Sequence, residues 1–266
     1  MIMLSVENVH KTFEIGTPLE THVLRGVTMS LIKGDYATVI GGNGAGKSTL
    51  MNIVAGTHLS DSGKIMIDGN DVTNLPEYKR AKYLGRVFQN PMVGTAASMN
   101  IEENLALAYR RGQLRGFRWY ISNKERAIYR ERLAELELGL ENRLADKVGL
   151  LSGGQRQALA LIMATLKEPR VLLLDEHTAA LDPKTAPKVL EIGNKIIERF
   201  GLTTMMVTHN MKDAIRHGNR LIMMKEGQIV LDISGDDKKN LTVENLVARF
   251  NQVSGDEFDN DSALLS

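Results

Sequence analysis

At 266 residues, 43% hydrophobic and 24% charged, the chain has globular composition and enough length for one large domain or two small ones with a full core. Lysine and arginine (33) nearly balance aspartate and glutamate (32), so a net charge of +1 supplies no global pull toward nucleic acid or a membrane surface. Cysteine is absent, which excludes disulfides, thiolate metal sites and cysteine nucleophiles. The start, Met1-Ile2-Met3-Leu4-Ser5-Val6-Glu7, has no basic segment and meets an acidic residue too early for a signal peptide. The most apolar run, residues 158–166, is too short to span a bilayer, so a membrane role has to come through a partner.

In chain order, residues 4–13 and 23–32 read as strands of an outer sheet. Residues 36–40 form a strand that runs into Gly41-Gly42-Asn43-Gly44-Ala45-Gly46-Lys47-Ser48, and residues 48–55 continue as a helix. Strand, glycine loop and helix are the context required by G-x-x-x-x-G-K-[ST], a phosphate-binding loop. By residue usage a chance match in this length is on the order of one in a hundred, which disfavours a fortuitous glycine turn. The amides from Gly44 to Thr49 would wrap a β-phosphate, Lys47 would reach the β and γ oxygens, and Ser48 would ligate Mg²⁺. Glycine is needed there because side chains would block the approach of the backbone.

Residues 64–67, a turn at Asp68-Gly69 and residues 83–88 continue the sheet. From 100 to 138 the pattern changes to helices rich in Glu, Arg, Leu and Ala, an insertion ending near Gly149. Leu151-Ser152-Gly153-Gly154-Gln155 follows, in which Ser152 and Gln155 fit a capping box, so a helix starts there with open amides at its tip. Such a tip attracts anions. Two phosphate-binding elements in one chain imply that a nucleotide is held between subunits.

Residues 171–174 read as a buried parallel strand, with Asp175 and Glu176 leaving its C-terminal end, where open α/β sheets bind ligands. Asp175 would hold the Mg²⁺ shell and Glu176 would polarise the attacking water. Alone, such an acidic pair is more often a solvated turn; the phosphate loop upstream reverses that weighting. Pro187 belongs in the first turn of a helix starting near Thr185. Residues 203–207 form a further strand, a hairpin turns at Glu226-Gly227, and residues 253–266 read as an acidic, frayed tail.

With these residues in hand, the chain resembles the nucleotide-binding subunit of ATP-binding cassette (ABC) transporters from Ser5 to about Phe250. The motifs stand in the family's order: phosphate loop 41–49, Gln89 of the Q-loop, signature 151–155, Walker B 171–176, D-loop Ala179-Ala180-Leu181-Asp182, and the switch histidine His209. The resemblance implies an α/β fold, a P-loop NTPase (RecA-like) core with an antiparallel β subdomain and an inserted helical subdomain. It divides a single domain, 1–250, into a core (1–89 and 156–250) and a helical signature subdomain (90–155), with a tail at 251–266.

ATP and Mg²⁺ are the implied ligands. Gly41, Asn43, Gly44, Ala45, Gly46, Lys47, Ser48 and Thr49 would bind the phosphates, and Ser48, Gln89 and Asp175 the metal. Ser152, Gly153, Gly154, Gln155 and Asp182 would complete the site of a second copy packed head to tail. Glu176, His209, Lys47 and Gln89 would carry the chemistry, His209 by contacting the γ-phosphate. Phe13 would stack on adenine in a place more often held by Tyr, since a ring face suffices; the plain alternative is a strand residue facing the core.

The resemblance extends to a bacterial uptake-type subgroup whose cassettes serve a separate permease and a substrate-binding lipoprotein, often for aromatic amino acids. It implies an ATP-hydrolysing subunit held peripherally at the cytoplasmic face of the cell membrane, with no nucleic-acid partner. Residues 88–99, with Pro91 and Gly94, would line the groove for a permease helix. The alternative is a soluble ABC ATPase for assembly work such as iron–sulfur cluster biogenesis. Three positions depart from the family: His177 stands where Pro is usual, and Ala158 and Met163 where many members have Arg. His177 could tune Glu176 by titrating, though a sideways-facing subfamily marker is the plainer reading. The basic segment 109–132 (Arg110, Arg111, Arg115, Arg118, Lys124, Arg126, Arg130 and Arg132 around Trp119) reads as a solvated helix with i,i+4 pairs to Glu125, Glu131 and Glu135; a permease or lipid-headgroup contact comes second.

Overall fold

The structure is a computed structural model that describes residues 1–112, 120–176, 178, 181–182 and 184–254, side chains of 253 and 254 excepted. His177, Ala179, Ala180, Arg115, Arg118, Trp119 and residues 255–266 lie outside the described residues.

The chain opens with strands β1 (Ile2–Phe13) and β2 (Thr21–Ile32), then β3 (Tyr36–Ile40), which is buried throughout and leads into helix α1 (Lys47–Ala55). Strands β4 (Ser62–Ile67) and β5 (Asn70–Asp71) are joined by Asp68 and Gly69, at φ 49° and 74°, the backbone hand that a tight hairpin demands. Helix α2 (Glu77–Arg80) and strand β6 (Leu84–Val87) precede the helices α3 (Ile101–Tyr109), α4 (Asn123–Ala134) and α5 (Gly153–Thr165). Then come β7 (Val171–Asp175), α6 (Ala186–Phe200), β8 (Thr204–Val207), α7 (Met211–Arg216), β9 (Arg220–Lys225), β10 (Gln228–Ser234), α8 (Gly235–Lys239) and α9 (Val243–Ser254).

Six strands form a sheet in the order β10-β9-β3-β8-β7-β6, parallel from β9 to β6 with β10 antiparallel at the edge. Four others form an antiparallel sheet, β2-β1-β4-β5. Residues 64–67 and 83–88 therefore do not continue one sheet: β4 pairs with β1, whereas β6 closes the edge of the parallel sheet beside β7. Alternation along the parallel strands decides what packs on each face. Val171 and Leu173 join α1 and the antiparallel sheet in one apolar cluster. Leu172 and Leu174 join α3, α4, α5 and α6 in another. A third, around Leu221, Met223 and Ile40, seats α7 and α9.

Three expectations need adjusting. Helix α5 crosses the proposed 155/156 boundary, and α9 runs to Ser254, past 250. The charges of the basic segment pair mainly between elements rather than at i,i+4. Arg126 meets Glu102 of α3 at 2.7 Å, Arg110 meets Glu125 at 3.0 Å, and Arg132 and Arg199 share Glu135. The reason is that α3 and α4 pack side by side, which brings Glu102 to Arg126, while Lys124, Arg130 and Glu131 keep a solvated face on α4 as expected. Among the described residues no helix is long and apolar enough to cross a membrane.

Candidate active site

The phosphate loop leaves β3 through Gly41, where a Cβ would lie 2.2 Å from the carbonyl oxygen of Met224 on β9; no side chain fits. Gly44 is at φ 79° with nothing within 4 Å of an added Cβ, so the backbone turns there in open space that a ligand can use. Gly46 caps α1 in the left-handed conformation without any side-chain hydrogen bond, so no side chain competes for the first amides of the helix. Asn43, Gly44 and Ser48 are exposed at this opening, and Lys47 is buried beneath it. The Lys47 ammonium donates to the carbonyls of Gly41 at 2.7 Å and Gly42 at 3.1 Å. Burial holds its pKa below the ordinary lysine range, against the opposing pull of the Glu176 charge.

The carboxylates stand at the end of β7. Glu176 adopts φ 40°, a left-handed backbone that costs a side-chain-bearing residue about 1–2 kcal/mol, held by its N–H donating to Val207 on β8 at 3.0 Å. Its Oε2 accepts from Gln89 Nε2 at 3.2 Å and lies 3.3 Å from His209 Nδ1. Residues leaving β6, β7 and β8 thus converge on a single oxygen, as the C-terminal ends of adjacent parallel strands allow. The carboxylate is 20% exposed and the imidazole 46%, so both are reachable from solvent.

Asp175 contacts a residue that sequence reasoning passed over. Arg86 Nη2 lies 3.2 Å from Asp175 Oδ2 and 2.7 Å from Asn52 Oδ1 on α1; its Nη1 donates to Thr57 at 3.2 Å and the guanidinium covers the Phe88 ring at 4.6 Å. In the β6–β7 register Arg86 stands opposite Leu173, two residues before Asp175 and on the same face. Only that register brings the pair together.

The signature residues are built as the capping box predicts: Gln155 N–H donates to Ser152 Oγ and Ser152 N–H to Gln155 Oε1, both at 3.2 Å. Gly153 and Gly154 keep amides with no intrahelical acceptor. Gly154 rests on α6, where a Cβ would lie 2.1 Å from Thr185 Cγ2. Asp182 Oδ1 accepts from the N–H groups of Lys184 and Thr185 at 3.2 and 3.1 Å. Its carboxyl is held below the usual range, first by the Thr185 hydroxyl and then by these backbone N–H groups. Within one chain the phosphate loop and this tip are not joined by any hydrogen bond of the described residues; α1 and α5 lie on opposite faces of the parallel sheet. Phe13 is part-exposed, edge-on to His58 at 5.4 Å, and outside the apolar clusters, so it does not face the core.

The donor set suits a magnesium nucleotide. No cluster of three or more His, Cys, Asp or Glu exists among the described residues. An exposed hydroxyl at Ser48 and one carboxylate at Asp175 instead match Mg²⁺, which uses few protein oxygens and takes the rest from phosphate and water, while the open backbone N–H groups suit the phosphates themselves. A cavity of about 220 Å³ opens behind the site, between the core and the helical insertion, lined by Arg86, Phe88, Gly94, Arg111, Ala160 and Met163. Of residues 88–99, Phe88 and Gly94 are in its wall and Pro91 is not.

A strand-to-helix glycine loop over a buried lysine, beside a carboxylate at a strand end, is the equipment of a P-loop NTPase, and the added antiparallel sheet and helical insertion narrow that class to an ATP-binding cassette. The chain belongs to the ABC transporter family, whose pattern matches residues 24–179. It is 45% identical over 249 residues, 93% of this chain and 98% of the other, to a tyrosine transport ATP-binding protein of Clostridioides difficile (strain R20291). It is 33% identical over 229 residues, 85% of this chain and 57% of the other, to the spermidine/putrescine import ATP-binding protein PotA of Thermotoga maritima. Its fold superposes with a TM-score of 0.73 at 29% identity, over 87% of this chain and 98% of the other, on a dimeric ATP-binding cassette in a post-hydrolysis state bound to ADP and Pi. The chain is accordingly an ATPase of this family.

Proposed function

We propose that this ATPase powers uptake of an aromatic amino acid of the tyrosine class, as the ATP-hydrolysing subunit of a transporter with a separate permease and a substrate-binding lipoprotein. The 45% identity over almost the whole of a tyrosine transport ATP-binding protein supports the cargo class and favours a transporter over an assembly ATPase. The observation that carries the catalytic reading is the meeting of Gln89 and His209 at Glu176 Oε2. A carboxylate oriented from both sides can accept a proton from water attacking a γ-phosphate.

In this reading two copies pack head to tail. The amides of Gly153 and Gly154 from one face the phosphates lying on Gly44–Thr49 of the other, with Asp182 at the seam. Lys47 shifts from its loop carbonyls to the phosphate oxygens, Phe13 stacks on adenine, and Ser48, Asp175 and Gln89 would hold Mg²⁺. Mg²⁺, when bound, neutralises charge on the transferring phosphoryl group. His209 spans Glu176 and the γ-phosphate. Loss of that phosphate removes the bridge and the halves part, a two-state motion that a permease helix seated in the cavity by Phe88 and Gly94 converts into transport. The subunit then sits peripherally at the cytoplasmic face of the membrane.

The test is Glu176→Gln, which keeps size and hydrogen bonding but cannot take a proton. With ATP and Mg²⁺ the variant should run as a dimer in light scattering while the wild type cycles back to monomer. Reconstituted with its permease and binding protein, the wild type should show tyrosine uptake that requires ATP. Wild-type turnover in Glu176→Gln refutes the catalytic assignment; uptake indifferent to tyrosine refutes the cargo.

A further inference from the structure

We infer that Arg86 sets the Mg²⁺ affinity of the site by competing for the Asp175 carboxylate. The inference rests on the reading of Asp175 as the metal ligand. The Asp175–Arg86 pair is partly buried, with side chains 18% and 12% exposed, so solvent screens it only in part. The guanidinium is clamped in place rather than dangling: Asn52 Oδ1 at 2.7 Å, Thr57 Oγ1 at 3.2 Å and the Phe88 ring at 4.6 Å hold it. A fixed positive charge on Oδ2 at 3.2 Å lowers the negative potential that a divalent cation would meet at the same carboxylate. Mg²⁺ ligated by Asp175 must share the carboxylate with Arg86 or displace it.

The arrangement also faces two ways. Asn52 and Thr57 anchor the guanidinium on the side of α1, and the same side chain lines the cavity between the core and the helical insertion. The charge that governs the metal therefore stands in the wall of that cavity. Arg86 is in this account a positioning residue, since no contact of its own with nucleotide is invoked.

The experiment titrates Mg²⁺ into the full chain holding a fluorescent ADP analogue, after measuring the analogue's affinity in EDTA. Arg86→Gln and Arg86→Met should lower the half-saturating Mg²⁺ by about tenfold, the scale of one unit charge a few ångströms away under nearly water-like screening. The affinity in EDTA should stay within twofold of wild type, roughly the scale of a charge change lying beyond contact distance. Arg86→Lys, which keeps the charge, should stay near wild type. In an Asp175→Asn background the substitution of Arg86 should have no effect on the titration. Arg86→Met preserves the apolar stem over Phe88, and matching thermal melts identify which variants are folded. An unchanged or raised Mg²⁺ midpoint in a folded Arg86→Gln or Arg86→Met protein overturns the proposal. If Mg²⁺ fails to alter nucleotide binding even in the wild type, the metal role of Asp175 falls and this inference with it.

Discussion

In the proposed mechanism the tips of α1 and α5 both serve phosphate, yet they are built in opposite ways. The α1 tip is capped by Gly46, which contributes no side chain, and is wrapped by its own glycine loop over a buried lysine. The α5 tip is capped by the hydroxyl of Ser152, stands exposed, and rests on α6 through Gly154. A helix end with a loop and a cation around it can grip an anion unaided. A helix end with a side-chain cap has spent one donor on itself, so its remaining amides add to a site rather than make one. On the proposed mechanism, this difference would let one chain hold the nucleotide and require two to hydrolyse it.

Changes at each tip should therefore separate binding from turnover. Ser152→Arg, which sets a long side chain on the exposed α5 tip, should cut steady-state phosphate release by on the order of 100-fold or more, since stabilising dipoles are lost from the transition state. Equilibrium ADP binding to the monomer should not change. If the variant loses ADP binding as well, the division of labour is wrong. Lys47→Met, on the α1 side, should weaken nucleotide binding itself by roughly ten- to a hundredfold, the worth of one charge-assisted hydrogen bond set. Isothermal titration reads that loss directly.

Smaller effects sharpen how each tip is seated. Gly154→Ala should destabilise the fold by about 1–3 kcal/mol, because its methyl meets Thr185 Cγ2; Thr185→Ser, which lacks that atom, should recover most of the loss in denaturant melts. The smallest effect lies at the other kind of helix end. Lys238 is buried with its ammonium donating to the carbonyls of Ile215 and His217, at the C-terminus of α7. Burial pulls its pKa from 10.5 down to about 8. Between those values the unfolded chain holds a proton that the folded one has shed, so this group's contribution to stability rises as pH climbs through that window. Thermal melts should show that gain in the wild type relative to Lys238→Met, in which it is absent.

Much of this site is legible in order along the chain. The capping box at Ser152 and Gln155, the entry of α6 with Pro187 in its first turn, and the hairpin at Glu226-Gly227 all appear where the residues predict. Each is decided by hydrogen bonds or dihedral limits spanning a few residues. Arg86 was not legible. An arginine inside a strand carries no motif, and its meeting with Asp175 needs the pairing of β6 with β7, 89 residues apart in sequence at the contact. The left-handed backbone of Glu176 was equally hidden, because it is held by a carbonyl of β8.

Sequence alone determined the chemistry on offer: a phosphate loop, an acidic strand end, a serine-capped helix, and the alternation of strands and helices that carries them. Tertiary structure decided which of these meet. It sent β4 and β6 to different sheets, put α1 and α5 on opposite faces, brought Gln89 and His209 to one oxygen, and set an arginine against Asp175. The physical reason is range. Caps and turns are short-range equilibria written in neighbouring residues, whereas register and facing depend on which distant apolar surfaces bury one another.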